Sequence, residues 1–362
     1  MHSRLLCFFF CLIVEATNGD CAVDGSCNNK AILIIGASGA IGKALTKKFL
    51  DNGISVIAGL RKSPLPPELS DHPLLKQEFG IDMTNGPSIE KLFIKYHGGI
   101  GSVWNLAAPL SVDTASNPNL AYDVVVNGMN RLLASMAMHK VPTILFSDSI
   151  GSFGHECPRN WGATATWLLE NPKQDPGSDY GEQKRICREI MAEWVKQGEG
   201  REMRFAVIPG VLHDDSTWGG GTTEYALDAM KAARNQEAFT SPVPLNVQLP
   251  MIWRDDLISG LFKLTMTPYE NLAERDGGYS MSGFSFSARE LFDEIQKLLP
   301  KFSYEEGDMG GSAASFARLW PDALSGIEAT RDLDFTSQET DLRKVVETLL
   351  RNGQKQTIEA IV

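Results

Sequence analysis

The chain has 362 residues and a formal net charge of -11, from 45 acidic and 34 basic side chains. This excess of acid disfavours nucleic acid or an anionic membrane surface as a partner, and no basic run offsets it. Apolar residues make up 43% of the sequence, which is enough to bury the core of one large domain or two lobes.

Residues 1–29 are predicted to be a leader rather than part of the fold. The apolar run Leu5–Val14 follows His2 and Arg4 and has the length of a signal-peptide core, too short to span a bilayer comfortably. It favours secretory or organelle targeting, and a cytoplasmic or mitochondrial location if the run is not a signal. We expect no membrane contact for the mature domain. Four of the six cysteines lie in the leader, so neither a disulfide framework nor a metal site is predicted.

The stretch Ala31–Lys43, AILIIGASGAIGK, reads as a buried parallel strand, a glycine-rich turn and the start of a helix. We expect the amphipathic helix to cover Lys43–Leu50. Backbone N–H groups and the dipole at a helix start form an anion site, and this context favours the diphosphate of a dinucleotide. The predicted cofactor contacts in the turn are Gly36, Ser38, Gly39, Ala40, Ile41 and Gly42.

The second predicted strand, Ile54–Leu60, ends in Arg61 and Lys62 with no acid nearby. An acid at this point holds the ribose 2′-hydroxyl of NAD, whereas a basic residue accommodates the 2′-phosphate of NADP. We therefore favour NADP and keep NAD as the alternative, in which the two cations are solvated loop charges.

Three further strands are predicted at Phe79–Asp82, Ser102–Ala108 and Thr143–Ser149. Strands that alternate with helices predict an α/β fold, a doubly wound parallel sheet of the Rossmann type. Cofactor contacts are expected near the adenine and in the small-residue turn after the fourth strand, at Asp82, Met83, Leu106, Ala107 and Ala108.

Tyr180-Gly-Glu-Gln-Lys184 opens a predicted helix over Arg185–Gln197. Residues four apart lie on one helix face, and an ammonium beside a phenol favours ionisation of the phenol. Ser149, at the end of the fifth strand, is placed to hydrogen-bond the same substrate oxygen. These three residues are suited to taking a proton from an alcohol while its hydride leaves to nicotinamide.

The motifs GASGAIG, NLAA, SDSIGSFG and YGEQK resemble the extended short-chain dehydrogenase/reductase family, also known as the NAD-dependent epimerase/dehydratase superfamily. The likeness covers nearly everything from Lys30 onward. It implies that Ser149, Tyr180 and Lys184 are catalytic, with Ser149 preferred to Ser147. Further cofactor contacts are expected at Asn127, Tyr180, Lys184 and Pro209, and the resemblance also implies a homodimer.

The C-terminal half is similar to a subgroup of that family, the short-chain type of L-threonine 3-dehydrogenase, in GGGTTEYALDAM, LPMIWRDDL and LWPDAL. The resemblance implies a small hydroxy amino acid as substrate. From the residues alone, the glycine-threonine run either donates hydrogen bonds to a small carboxylate or forms a loop that caps the next helix. The predicted substrate contacts are Ser111, Ser149, Gly210, Thr222, Thr223 and Trp320.

Two positions differ from the subgroup, and we expect both to face a ligand. Val207 stands where an arginine is usual, which favours another small substrate, and Leu60 with Arg61 replaces the usual acid. His155 and His213 are interpreted as surface residues. Alternative functions are an epimerase, dehydratase or carbonyl reductase of the same superfamily, and a cofactor-binding protein without catalysis.

The domain prediction is a dinucleotide-binding core over residues 30–207, with a returning segment over 249–277 that includes a strand near Leu249–Trp253. A smaller C-terminal substrate-binding lobe is expected from 208–248 and 278–362. Ligand is expected at the carboxyl ends of the strands, between the two.

Overall fold

A computed structural model describes residues 30–157, 162–215, 218–273 and 278–359; the predicted leader lies outside them. The strands are β1 Ala31–Ile35, β2 Val56–Leu60, β3 Leu75–Phe79, β4 Ile100–Asn105, β5 Thr143–Ser149, β6 Glu202–Ile208, β7 Gly210–Leu212, β8 Phe239–Ser241, β9 Gln248–Trp253, β10 Gly278–Ser280, β11 Phe284–Ser287 and β12 Tyr304–Glu306. The α-helices are α1 Ala40–Asp51, α2 Pro67–Ser70, α3 Gly86–Lys95, α4 Ser111–Ser116, α5 Pro118–Tyr122, α6 Gly128–Met138, α7 Ala165–Glu170, α8 Asp179–Lys196, α9 Tyr225–Asn235, α10 Arg254–Met266, α11 Ala288–Leu298, α12 Ser312–Leu319, α13 Ile327–Leu333 and α14 Leu342–Glu359.

Seven strands form one sheet in the order β10-β6-β5-β4-β1-β2-β3, and every neighbouring pair is parallel. This confirms the predicted doubly wound α/β fold. The strands β1 and β2 are buried along their whole length, because helices cover both faces of the sheet, and they therefore read as unbroken apolar runs.

Alternate side chains of β1 enter two apolar clusters on opposite faces of the sheet. Leu33 belongs to the cluster that includes Met129 of α6 and Met191 of α8, whereas Ile34 belongs to the one that includes Phe49 of α1 and Leu261 of α10. Each fully buried side chain of this kind contributes roughly 1.5–3 kcal/mol by leaving water. The two helix layers thus fix the sheet and leave its carboxyl edge as the place where loops meet.

Some predicted boundaries were wrong. The first helix begins at Ala40 rather than Lys43, so the glycine turn is shorter than expected. The third strand covers Leu75–Phe79, not Phe79–Asp82, and Asp82 lies in the turn that follows. This strand is at the sheet edge, where only Leu75 is fully buried, so it lacks the apolar run by which the inner strands were recognised.

The strand predicted near Leu249–Trp253 forms, as β9, but it does not return to the large sheet. It pairs with β7 and β11 in a separate three-stranded sheet. The seventh strand of the large sheet is instead β10, beside β6. The division of the chain into a core and a substrate lobe stays a prediction.

Within the described ranges, no helix is both long and apolar enough to cross a membrane. The side chains of Cys157 and Cys187 are both buried. No three His, Cys, Asp or Glu side chains in this part of the chain are grouped so that they could hold a metal ion.

Candidate active site

The carboxyl ends of β1, β4, β5 and β6 border a cleft of about 330 Å³, which the loop before α9 and the residue after α12 close from the other side. Most of the predicted ligand contacts meet there. The predicted residues that line the cleft are Gly36, Gly39, Ala40, Ile41, Gly42, Leu106, Ala108, Ser111, Ser149, Tyr180, Lys184, Pro209, Gly210, Thr222, Thr223 and Trp320.

The glycine turn leaves room for an anion at the start of α1. Gly36 has φ +83°, and a Cβ there would lie 3.0 Å from the Ala107 nitrogen. A Cβ on Gly42 would lie 2.4 Å from the Gly36 oxygen, so α1 packs directly on the turn. A Cβ on Gly39 would meet only the Gly36 oxygen, at 3.4 Å. No side chain caps α1 and no acid lies in its first turn, so the turn fits the diphosphate of a dinucleotide.

The other predicted cofactor residues do not line this cleft. Arg61 and Lys62 are exposed after β2. Hydrogen bonds from Thr84 lower the pKa of Asp82, and the positive charge of Arg61 contributes in the same direction. Arg61 and Asp82 are therefore close enough to interact at the sheet edge where the adenosine is expected. The predicted cofactor residues outside the lining are Ser38, Arg61, Lys62, Asp82, Met83, Ala107 and Asn127.

Two of these residues have evident structural partners. Asn127 donates a hydrogen bond to the Asp123 carboxylate at 3.0 Å. Met83 is buried, and a Cβ on Gly128 would lie 2.9 Å from the Met83 Cβ. Met83 therefore packs directly beneath the start of α6.

Ser149, Tyr180 and Lys184 come together where β5 meets the first turns of α8, and all three are buried. Lys184 Nζ donates to the Ser147 carbonyl oxygen at 2.6 Å and lies 5.5 Å from the centre of the Tyr180 ring. Ser149 Oγ accepts the Gly151 N–H at 3.1 Å. The arrangement places a phenol, an ammonium and a hydroxyl on the same wall of the cleft.

Two glycines allow this meeting of β5 and α8. A Cβ on Gly151 would lie 2.8 Å from Tyr180 Cδ1, and one on Gly181 would lie 1.9 Å from the Gly151 oxygen. Any larger residue at either position would push α8 away from the end of β5, and Tyr180 and Lys184 would move away from Ser149.

Sequence reasoning missed Asp148, which lies between the two serines and also lines the cleft. Its carboxylate pairs with Arg188 of α8 and accepts the Ser149 N–H at 2.8 Å and the Ser152 hydroxyl. Both members of the ion pair are buried, with 0% of the Asp148 side chain and 6% of the Arg188 side chain exposed. The pair fixes the backbone of Ser149 to the helix that carries Tyr180 and Lys184.

The end of the cleft where substrate contacts are predicted is built by α4 and the loop before α9. The Ser111 and Thr222 hydroxyls lie 3.0 Å apart, and the Thr222 N–H donates to Ser111 Oγ at 3.1 Å. Glu224, also missed from the sequence, lines the cleft and accepts the Gly221 N–H at 3.0 Å. Burial raises the pKa of Glu224, despite the opposing effect of the hydrogen bond from Gly221.

Trp320 closes this end of the cleft and is only 3% exposed. Its ring lies nearly parallel to that of Phe316, with centroids 6.3 Å apart and an interplanar angle of 12°. A rigid aromatic wall of this kind limits the size of the group that the cleft accepts.

Three expectations about single residues were wrong. Leu60 does not face ligand, because it is 0% exposed and belongs to the apolar cluster with α1 and α10. Val207 does not face ligand: it is 0% exposed and packs into the apolar cluster with α6 and α8, whereas its neighbour Ile208 lines the cleft. His213 is not a surface residue but is buried and lines the cleft; its position three residues after Pro209-Gly210 was the available signal. His155 is exposed, as predicted.

Comparison with known proteins gives consistent matches. A sequence model described as the NAD dependent epimerase/dehydratase family matches residues 32–260, more than half of the chain. Mitochondrial L-threonine 3-dehydrogenase of Sus scrofa is 27% identical over 328 residues, covering 89% of this chain and 82% of the relative. An uncharacterized epimerase/dehydratase of Staphylococcus haemolyticus is 26% identical over 324 residues, covering 88% and 96%.

A similar solved structure is the holo form of the GalE-like L-threonine dehydrogenase from Cupriavidus necator. It matches with a TM-score of 0.76 and 25% identity, over 89% of this chain and 99% of that chain. A monomeric L-threonine 3-dehydrogenase in its apo form matches with a TM-score of 0.77 and 26% identity, over 90% and 99%.

Proposed function

Because the chain belongs to the NAD-dependent epimerase/dehydratase family, we propose that it oxidises a small hydroxy amino acid, L-threonine or a close analogue, with a nicotinamide cofactor. The observation that carries the proposal is the position of Ser149, Tyr180 and Lys184 in a cleft that begins at the glycine turn. The threonine dehydrogenases among its relatives support the choice of substrate.

In the proposed mechanism Tyr180 takes the proton of the substrate hydroxyl as that carbon loses its hydride. The nicotinamide ring, when bound, supplies the hydride acceptor. The positive charge of Lys184 stabilises the phenolate, and Lys184 is itself held by the Ser147 carbonyl. Ser149 hydrogen-bonds the substrate oxygen, and Asp148 holds the Ser149 backbone in place. The burial of all three side chains keeps water away from the reacting oxygen.

The charges at the substrate end favour a substrate with an ammonium group. Glu224 lines that end, and among the described lining residues Lys184 is the only lysine or arginine. The hydroxyls of Ser111, Thr222 and Thr223 provide neutral donors for a carboxylate. Such a surface suits a small zwitterion better than a sugar nucleotide, whose phosphates call for cations.

For the cofactor we propose NADP over NAD, on the cations Arg61 and Lys62 after β2. Arg61→Ala should weaken NADP binding by roughly tenfold, the loss of one charge-assisted contact, and leave NAD binding almost unchanged. Fluorescence titration with each reduced cofactor measures both affinities, and Lys173→Ala, an exposed lysine after α7, is the control. Equal losses for NADPH and NADH would refute the assignment.

Turnover is tested by following NADH or NADPH formation with L-threonine. We expect oxidation of L-threonine and none of 2-butanol, which has the hydroxyl but no ammonium or carboxylate. No turnover with any small hydroxy amino acid or amino alcohol, in protein that still binds the cofactor, would refute the proposal. No turnover in protein that retains its cofactor tightly through purification would favour the epimerase or dehydratase alternative.

The remaining proposals concern assembly and location. We propose a homodimer formed through the groove between α6 and α8, which Leu133, Ile190 and Trp194 line. Sedimentation tests the homodimer: a monomer at micromolar concentration would contradict it.

Targeting by residues 1–29 to the secretory pathway or an organelle also stays a prediction, to be tested by the mass of the mature protein.

A further inference from the structure

His213 is a buried imidazole that the proposed mechanism does not use. It follows β7, is 5% exposed and lines the cleft together with Gly39 and Ala40. Its ring meets the Trp218 ring edge-on, with centroids 6.4 Å apart. Burying a polar ring at a ligand cleft is unfavourable unless its nitrogens form hydrogen bonds, so a partner is expected for each nitrogen.

One ring nitrogen has a backbone partner. The Asp215 N–H donates to His213 Nδ1 at 3.3 Å, which places the proton of the neutral imidazole on Nε2. Burial lowers the pKa of His213, and the positive charges of Arg254 and Lys43 act in the same direction against Asp215 and Asp214. The ring is therefore neutral near pH 7, with one N–H still available as a donor.

Ion pairs connect this histidine to the start of α1. Lys43, which directly follows Gly42, lies 3.3 Å from the Asp215 carboxylate. Arg254 of α10 lies 2.5 Å from Asp215 and 3.0 Å from Asp214. The charges of these two cations and two carboxylates sum to zero. The ion pairs therefore hold the segment that carries His213 beside the glycine turn without adding net charge there.

We infer that His213 binds the cofactor, with its Nε2–H donating to the diphosphate of the dinucleotide at the start of α1. The inference rests on the proposed dinucleotide site but not on the substrate or the hydride step. An arriving diphosphate favours the imidazolium, so binding takes up a proton at mildly acid pH. The charged groups that face the ring are Lys43 on α1, Arg254 on α10, and Asp214 and Asp215 on its own segment.

The test uses ADP-ribose, which contains the diphosphate but cannot transfer hydride, with adenosine as the probe that lacks phosphate. His213→Phe keeps a ring against Trp218 and removes both nitrogens. We expect it to bind ADP-ribose roughly tenfold more weakly, the loss of one charge-assisted hydrogen bond, and adenosine as the wild type does. His213→Gln keeps an N–H near the position of Nε2 and should retain affinity within about threefold. Calorimetry measures each affinity.

The pH profile provides a second readout. Wild-type affinity for ADP-ribose should increase as the pH falls from about 8 to about 6, and that of His213→Gln should stay flat over the same range. Equal affinity in wild type and His213→Phe, or a flat wild-type profile, would overturn the inference. If His213→Phe fails to fold, the glutamine variant and the profile decide. ADP-ribose binding without turnover would contradict only the proposed reaction, whereas no ADP-ribose binding would overturn the inference as well.

Discussion

The carboxylate of Asp148 connects Ser149 to α8, the helix that carries Tyr180 and Lys184. It pairs with Arg188 in a fully buried position while it accepts the Ser149 N–H. Removing one member of a buried ion pair leaves the other as an unpaired charge away from water, which is far more costly than losing an exposed pair.

We therefore predict that Asp148→Asn lowers the free energy of unfolding by about 3–5 kcal/mol, because Arg188 is left unpaired. Asp148→Leu combined with Arg188→Leu should lose much less than the sum of its single variants. Glu182→Gln, which breaks a partly exposed pair with Arg185, should cost less than about 1 kcal/mol. Urea denaturation measures all of these, and additivity of the two leucine substitutions would contradict the role of the pair.

For single residues, the sequence predicts those positions in the site that depend on spacing along the chain. Tyr180 and Lys184 share a helix face and Ser149 ends a strand, so their position in one cleft could be predicted, whereas their catalytic role stays a prediction. Asp148, His213 and Glu224 were missed because no local pattern marks them. Asp148 is held by α8 and the segment of His213 by α10, both distant in sequence, and Glu224 by the loop that directly precedes it. Val207 was misplaced because a strand buried on both faces gives no sign of which side chain meets the cleft.

At the level of secondary-structure elements, two glycines in the turn between β1 and α1 have different surroundings. Gly39 has room for a side chain in the cleft, whereas Gly42 packs against the backbone of the turn. Gly39→Ala places a methyl group in the open cleft, so we expect cofactor affinity to fall by tenfold or more with stability nearly unchanged. Gly42→Ala forces a Cβ against the backbone of Gly36 and Ala37, and should cost about 1–3 kcal/mol of stability. Cofactor titration and urea denaturation of both variants check this, and equal effects on stability would contradict it.

Elements were predictable where the pattern is local and strong. The bounds of β1 and β5 were predicted correctly because each is a buried apolar run that ends at turn residues next to it in the chain. The edge strand β3 was displaced because its exposed positions carry polar side chains. The sheet to which β9 belongs was missed because its partners, β7 and β11, are separated from it in sequence.

At the scale of the whole molecule, Asp332 of α13 joins the C-terminal part of the chain to the large sheet. A hydrogen bond from Arg331 lowers the pKa of Asp332 to about 2, assisted by the Tyr279 hydroxyl of β10 at 2.8 Å and the Ala273 N–H at 3.0 Å. The folded chain thus resists protonation of this carboxylate more than the unfolded chain does, so the carboxylate stabilises the fold at neutral pH.

This contribution, about 2 kcal/mol, should disappear as the pH falls from about 4 to about 2. Asp332→Asn should therefore be less stable than the wild type at pH 7 by about that amount and nearly equal to it at the acid end. Asp71→Asn, at an exposed position, is the control. Urea denaturation across this pH range measures the difference, and a difference independent of pH would contradict the assignment.

We propose above that this fold brings Tyr180 to a substrate alcohol as the acid–base group for hydride transfer. The most direct measurement is the rate of reduced cofactor formation by the wild type and by Tyr180→Phe, with cofactor affinity measured in parallel. We predict that the phenylalanine variant loses turnover by at least about a hundredfold while it binds cofactor as the wild type does. Turnover by Tyr180→Phe close to that of the wild type would contradict this role of Tyr180.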